Sequence, residues 1–397
     1  MRPLLIVGTL FIAACSSDGI LTPDQTGLTR QANISDNPQQ PTCVLKSPLT
    51  FYVAAGRTKG NGSFGAPFGT IGEALATGSA LGACHLRVLL RGGTFPESFA
   101  VPVPRLEIST VGGRNVIAGA IVNAGRWLEM RGVEIVATGT VGLRQTGGRL
   151  KLSAVSITAA KADDKILDSG IGLWLSDGAL ATLDLVVFDR NDHQAIRLEG
   201  VGTEAWLTSV GVTNTGNRHP AMLGSITTAD EHMGAVQVSR GAKAIVRLST
   251  ITGSKWVGLN VDNGAEALLV HSRVSDTGEG DIGTVRTPAL NIVSNHGAVV
   301  EAFFLQTRNA IADLFLADDA FLTLHHAVIG GAEIGLVLLS LTPIPGYSPL
   351  VCASLDGTIF TDVTHRIQAD VLPPPTDPES PVAISLCRHV ANDLRPF

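Results

Sequence analysis

Three stretches of this chain concentrate side chains that could do acid–base or binding chemistry. Between Ile157 and Leu173 lie Lys161, Asp163, Asp164, Lys165 and Asp168. Between Val212 and Val236 lie Arg218, His219, Asp230, Glu231 and His232, and between Val274 and Leu290 lie Asp276, Glu279, Asp281 and Arg286. Shorter links add Asp189, Asp192 and His193, then Lys255 and Trp256, then Arg308. Eliminative cleavage of a polysaccharide needs a basic group to take a proton and a cation to hold the developing enolate. Hydrolysis needs two carboxyl groups flanking the glycosidic bond. The catalytic candidates are Asp163, Asp164, His193, His232 and Arg286. Binding without reaction needs only charges and a flat apolar ring. Its candidates are Asp168, Asp192, Asp230, Glu231, Lys255, Trp256, Asp281 and Arg308. Exposed loops are polar in most proteins, so composition alone does not decide between these readings.

What positions these stretches is a repeat. Ile135, Ile157, Phe188, Val212, Ile251, Val274, Leu305 and Val328 form one apolar column, spaced 22, 31, 24, 39, 23, 31 and 23 residues apart. Five residues upstream runs a second column, Met130, Leu152, Leu183, Leu207, Val246, Leu269 and Val300, failing at Thr323. A further strand carries alternating pairs such as Ile196/Leu198, Val236/Val238, Leu259/Val261 and Leu290/Ile292. Alternation within short runs predicts half-buried strands, and a period of 20–50 residues predicts a solenoid. A coil of about 22 residues with two or three short strands fits a parallel β-helix. The longer repeats grow at one place only. Ile135 to Leu143 is 8 residues, but Ile157 to Leu173 is 16, Val212 to Val236 is 24 and Val274 to Leu290 is 16. Insertions at one corner of alternate coils, roughly 10 Å apart for strands stacked about 4.8 Å apart, predict a single ridge of loops on one face.

The N-terminus reads as an address. MRPLLIVGTLFIAAC combines one basic residue, a short apolar core and small residues before a cysteine, as in a secretion signal. Ile12-Ala13-Ala14-Cys15 resembles the lipobox of bacterial lipoproteins. That resemblance implies cleavage after residue 14, lipidation of Cys15, and a membrane as partner through that anchor. With Ser16 next, the outer membrane is the expected destination. Residues 16–42, rich in Ser, Asp, Gln, Asn and Pro, cannot bury enough apolar area to offset chain entropy. The segment 15–42 is therefore expected to be a flexible tether.

The folded part opens near Cys43. Thr70 and Glu73 have capping-box spacing ahead of a helix whose apolar side is Ile71, Ala74 and Leu75. Phe51-Tyr52-Val53, the glycine-rich segment, Ala66-Pro67-Phe68 and then VLLRGGTFPES at 88–98 resemble the opening of pectate-lyase-like right-handed β-helices. In that family the helix plugs the open end of the coil stack. The resemblance implies right-handedness, and the expected fold class is all-β: a right-handed single-stranded parallel β-helix with a short N-terminal capping helix. The expected organisation is an N-terminal cap and first coil at 43–104, coils at 105–340 and a C-terminal cap at 341–397, where VLPPPTDPESP excludes regular structure. β-Helix glycosidases carry an Asn-Thr-Asp strand, an Asp-Asp pair and a Gly-His-Gly turn. Only Asp163-Asp164 matches, which weighs against a hydrolase.

The chain is 45% apolar with 44 glycines, enough for a long core, and its net charge of −6 without a basic stripe argues against nucleic acid. Of five cysteines, four remain besides Cys15; in an exported protein they are expected to pair, and locality favours Cys43–Cys84 and Cys352–Cys387 among three arrangements. No Cys/His cluster suggests zinc, and no metal site is expected. Calcium is the one cofactor the carboxylates of 189-DRNDH could take, against a simpler role in turn geometry. The expected function is a monomeric, exported, membrane-anchored protein that binds polysaccharide or another envelope component without catalysis. A tethered polysaccharide lyase or glycoside hydrolase is the alternative.

Overall fold

A computed structural model describes residues 43–163, 166, 168–216, 234–282, 285–287, 289–341, 351–372 and 384–386. The expected signal sequence, Cys15 and the expected tether lie outside the described residues. The described residues form three sheets of thirteen, eleven and eleven strands, in which each strand pairs with its counterpart one coil earlier and one coil later. Every pairing within these three sheets is parallel, as in Leu152 opposite Met130 and Leu183. One coil runs Arg149–Ser153 in the first sheet, Ser156–Thr158 in the second and Ile171–Ser176 in the third, before Leu180 begins the next. This is a right-handed single-stranded parallel β-helix, with the hand that parallel crossovers take.

Two residues turn the chain between the first and second sheets, and the first of them is left-handed. Ala154, Leu185, Ser209, Leu248, His271, Phe304 and His326 occupy this position in seven coils, with φ between 48° and 55°. A left-handed non-glycine residue costs about 1–2 kcal/mol. Its N–H, however, joins the next coil, as in Ala154 N–H to Asp184 O at 3.0 Å. The bend therefore costs local conformational energy without stranding a buried donor.

The core is a stack of aligned side chains. Ile135, Ile157, Phe188, Val212, Ile251 and Val274 are consecutive partners in the second sheet, as the sequence column expects. Beyond Val274 the column departs from that expectation. Its next members are Thr307 and Ile329, not Leu305 and Val328. In the first sheet Leu269 pairs with Ala302 and then Leu324, not with Val300 and Thr323. In the third, Leu259 pairs with Ile292, so Leu290 stands opposite Val257 instead. The helix Ile71–Ala80 covers the first coil, burying Ile71, Ala74 and Leu75. Thr70 and Glu73 form the expected capping box, and Glu97 adds both its oxygens to the N–H groups of Ile71 and Gly72 at 2.6 and 2.8 Å. Gly78 lets the helix approach the strand beneath: a Cβ there would lie 2.8 Å from Leu86. Cys43 and Cys84 are disulfide-bonded to each other. Cys352 is also disulfide-bonded; Cys387, its expected partner, lies outside the described residues.

Candidate functional site

The inserts enter where the sequence places them, between the second and third sheets. From Thr158 to Ile171, Thr213 to Val236 and Ser275 to Leu290 the chain detours, whereas Asp189 to Gln194 and Thr252 to Val257 are short links. Asp164, Asp230, Glu231 and His232 lie outside the described residues. Asp281 and Arg286 stand opposite each other in a two-stranded antiparallel ribbon formed by Gly280–Ile282 and Val285–Thr287.

The described candidates on the corner are mostly held by their own loops. Asp192 accepts the Ala162 N–H at 3.2 Å and faces Lys161 Nζ at 3.4 Å. Asp163 donates its N–H to Ser169 Oγ at 2.8 Å. His193 is 1% exposed, with Nδ1 3.2 Å from Ser169 O, so this candidate base has no open face. Trp256 is 7% exposed, at φ 74°, and packs with Val257, Leu290, Val293, Ala312 and Ile334. It offers no ring face for a sugar, contrary to the expectation from its place beside Lys255. Lys255 donates its N–H to Thr215 O at 3.1 Å, and Arg308 is exposed while its carbonyl accepts from Asp276 N–H at 2.9 Å. His325 and His326 are both on the outside of the stack. His325 lies against Phe303 between Glu301 and Asp356, and His326 is exposed at a corner.

The carboxylates at the ends of second-sheet strands serve the turns. Burial opposes ionisation of Asp189, yet hydrogen bonds from Asn214, Thr213 and Arg190 outweigh it and hold the carboxyl below its ordinary value. Asp276 is held down in the same direction, first by Asn309 and Ser275. Among the described residues, no three His, Cys, Asp or Glu side chains converge on one point.

Asp313, buried in the corner below the third insert, behaves oppositely. Burial pushes its carboxyl up to about 6, against a hydrogen bond from Asn291 Nδ2 to Oδ1 at 2.6 Å. A carboxyl raised in the folded state binds its proton more tightly than in the unfolded chain. Its contribution to stability therefore falls as pH rises from about 4 through 6 and stays unfavourable above that. Asp313→Asn should stabilise the protein by about 1–3 kcal/mol at pH 7, with the gain vanishing below about pH 4. Urea midpoints of both proteins across that range would check it, and a gain independent of pH would refute the assignment.

The densest arrangement of functional groups lies beside the inserts, on the outer face of the third sheet. Inward positions there carry Leu173, Ile196, Val236 and Leu259; the alternate outward positions carry Arg144, Trp174, Arg197, Gln237 and Asn260, in register across five coils. The Arg144 and Arg197 guanidinium carbons lie 4.2 and 4.7 Å from the Trp174 ring centroid, on either side in strand order. Glu199 completes the floor: Oε1 accepts from Trp174 Nε1 at 3.0 Å, and Oε2 accepts from Arg197 Nε and Nη2 at 3.0 and 2.7 Å. Arg197 Nη1 reaches Asp168 Oδ1 at 2.5 Å, so the first insert touches this floor. Farther along, Gln237 and Asn260 both donate to Asp262 Oδ2, at 2.9 and 3.2 Å. Beyond Asn260 the face turns apolar, through Val293, Phe315 and Val337.

Two polar side chains of these strands lack hydrogen-bond partners among the described residues. Arg144 is exposed and has no carboxylate partner among the described residues. Gln194, at the head of the Arg197 strand, is fully buried with both ends of its amide unpaired. Of this constellation only Asp168 was among the sequence candidates; Trp174, Arg197 and Glu199 were not, because they lie inside strands rather than loops. The available signal was GlnAlaIleArgLeuGlu at 194–199, whose charges occupy the non-core phase of an alternating strand.

No family model matches the chain. No curated protein matches it either. Among solved structures, the chain is similar to the pectate lyase Pel9A, with a TM-score of 0.46 and 11% identity over 83% of this chain and 80% of that one. It is also similar to the catalytic domain of a GH87 α-1,3-glucanase in complex with nigerose, with a TM-score of 0.46 and 11% identity over 86% and 69% of the two chains. The fold assignment rests on the strand pairing above, not on these likenesses.

Proposed function

We propose that this chain is an exported lipoprotein, anchored through Cys15, whose third-sheet outer face holds an acidic glycan of the cell envelope without transforming it. The observation that carries this reading is Arg144, a guanidinium laid against Trp174 with its hydrogen-bond donors uncommitted. A planar cation held in place by an indole loses little freedom when it captures a carboxylate, and that favours recognition of acidic groups. Both oxygens of Glu199 are engaged by donors, an arrangement suited to a rigid floor more than to proton transfer.

Arg144→Ala should weaken retention in affinity electrophoresis through polygalacturonate by about tenfold, leaving migration through dextran unchanged, for a charge-assisted contact of about 1.5 kcal/mol. Equal retention of the wild type in both gels would remove the acidic-glycan reading. New reducing ends or unsaturated-uronate absorbance would replace binding by catalysis. Radiolabelled palmitate incorporated into the wild type, and lost in Cys15→Ala, checks the anchor.

A further inference from the structure

We infer that Asp168 is a built-in stand-in for the ligand's carboxylate, occupying the Arg197 anion site and weakening binding until a glycan displaces it. This rests on the acidic-glycan reading and adds to it a means of regulation. Arg197 is an unusual residue to find beneath a loop: its side chain is 4% exposed, yet it carries a permanent charge. Within the floor, Glu199 pairs with that charge through two hydrogen bonds, and Trp174 covers one face of the guanidinium. The third fork, Nη1, still needs an acceptor once buried, because an unpaired buried donor is costly. The acceptor comes not from the floor but from the first insert, 29 residues earlier in the chain.

The two carboxylates on Arg197 differ in a way that separates scaffold from occupant. Glu199 is 14% exposed, lies in the same strand and is also fixed by Trp174 Nε1. Asp168 is 38% exposed and stands at the solvent boundary of the site. A ligand carboxylate arriving from solvent therefore meets Asp168 first, and can take over its bond to Nη1 with no change in the floor. On the far side of the same indole, Arg144 has no such occupant. The two guanidiniums sit two coils apart, roughly 10 Å at the spacing of stacked strands. One is open and one self-occupied, so a polyanion can dock on Arg144 before competing at Arg197.

Displacement makes a quantitative demand. If Asp168 fills the Arg197 site about nine-tenths of the time, it lowers apparent affinity about tenfold, and removing its charge should restore that factor. The test measures retention of the full chain, Asp168→Asn and Asp168→Ala in polygalacturonate gels, with dextran as the neutral control. Asp168→Asn keeps an oxygen acceptor for Nη1 and preserves the insert's fold, so it decides the matter should Asp168→Ala not fold. Retention rising about tenfold in polygalacturonate, but not in dextran, is the expected result. Unchanged or weaker retention of Asp168→Asn beside a retained wild type overturns the stand-in and leaves the acidic-glycan reading intact. Failure of the wild type and both variants to bind polygalacturonate overturns both.

Discussion

Glu199→Ala should cost about 3–5 kcal/mol, because it strands a buried guanidinium that has given up its hydration. Arg197 loses two hydrogen bonds and Trp174 Nε1 loses its acceptor, while Asp168 at the solvent edge compensates only one fork. The discriminating comparison is the charge-free double variant Arg197→Met with Glu199→Leu. Removing both partners leaves no uncompensated buried charge, so the double variant should recover most of the loss. Denaturant midpoints of the single and double variants measure this directly. A double variant as unstable as Glu199→Ala would mean that shape, not charge, holds this face together.

Loss of the Cys43–Cys84 bond should be comparably damaging. The bond closes a loop of 41 residues that contains the first strand and the capping helix. Chain-entropy arguments put such a closure at about 4 kcal/mol, with measured losses for native disulfides of about 2–5. Cys43→Ser with Cys84→Ser should therefore lower stability within that range. Hydrogen exchange should locate the loss first in Leu49–Val53 and Ile71–Ala80, since these make up the enclosed loop. Uniform loss of protection along all coils would instead show that the cap and the stack unfold as one unit.

The β-helix was legible because core positions recur with apolar side chains, and the columns are in register from Ile135 through Val274. The reading slipped beyond Val274 for a physical reason. The next core position is Thr307, a polar residue, while Leu305 two residues earlier is fully buried in the corner between sheets. An apolar search selects Leu305, and that shift of two displaces Ala302 from the first-sheet column. The one-residue slip at Val328 then makes Thr323 look like a gap, although Leu324 fills it. Site residues were less legible. A loop rich in Asp and Lys attracts attention by composition, but His193 and Trp256 turn out to be buried. Trp174, Arg197 and Glu199 become a constellation only when strands from neighbouring coils are laid side by side. Trp174 and Arg197 are 23 residues apart in sequence but adjacent in the sheet, and that adjacency depends on the register.

The position of the first disulfide also decides how the molecule would carry mechanical load. Tension applied to the chain ahead of Cys43 passes across the sulfur bridge to Cys84, immediately before the strand His85–Leu90. The first strand and the capping helix hang off the line of force instead of lying along it. Roughly 140 Å of contour length, from 41 residues at about 3.4 Å each, is thereby withheld from extension. A pull on that end would meet the side-by-side pairing of His85–Leu90 with Arg105–Thr110, six residue pairs loaded together, before it could unplug the end of the stack.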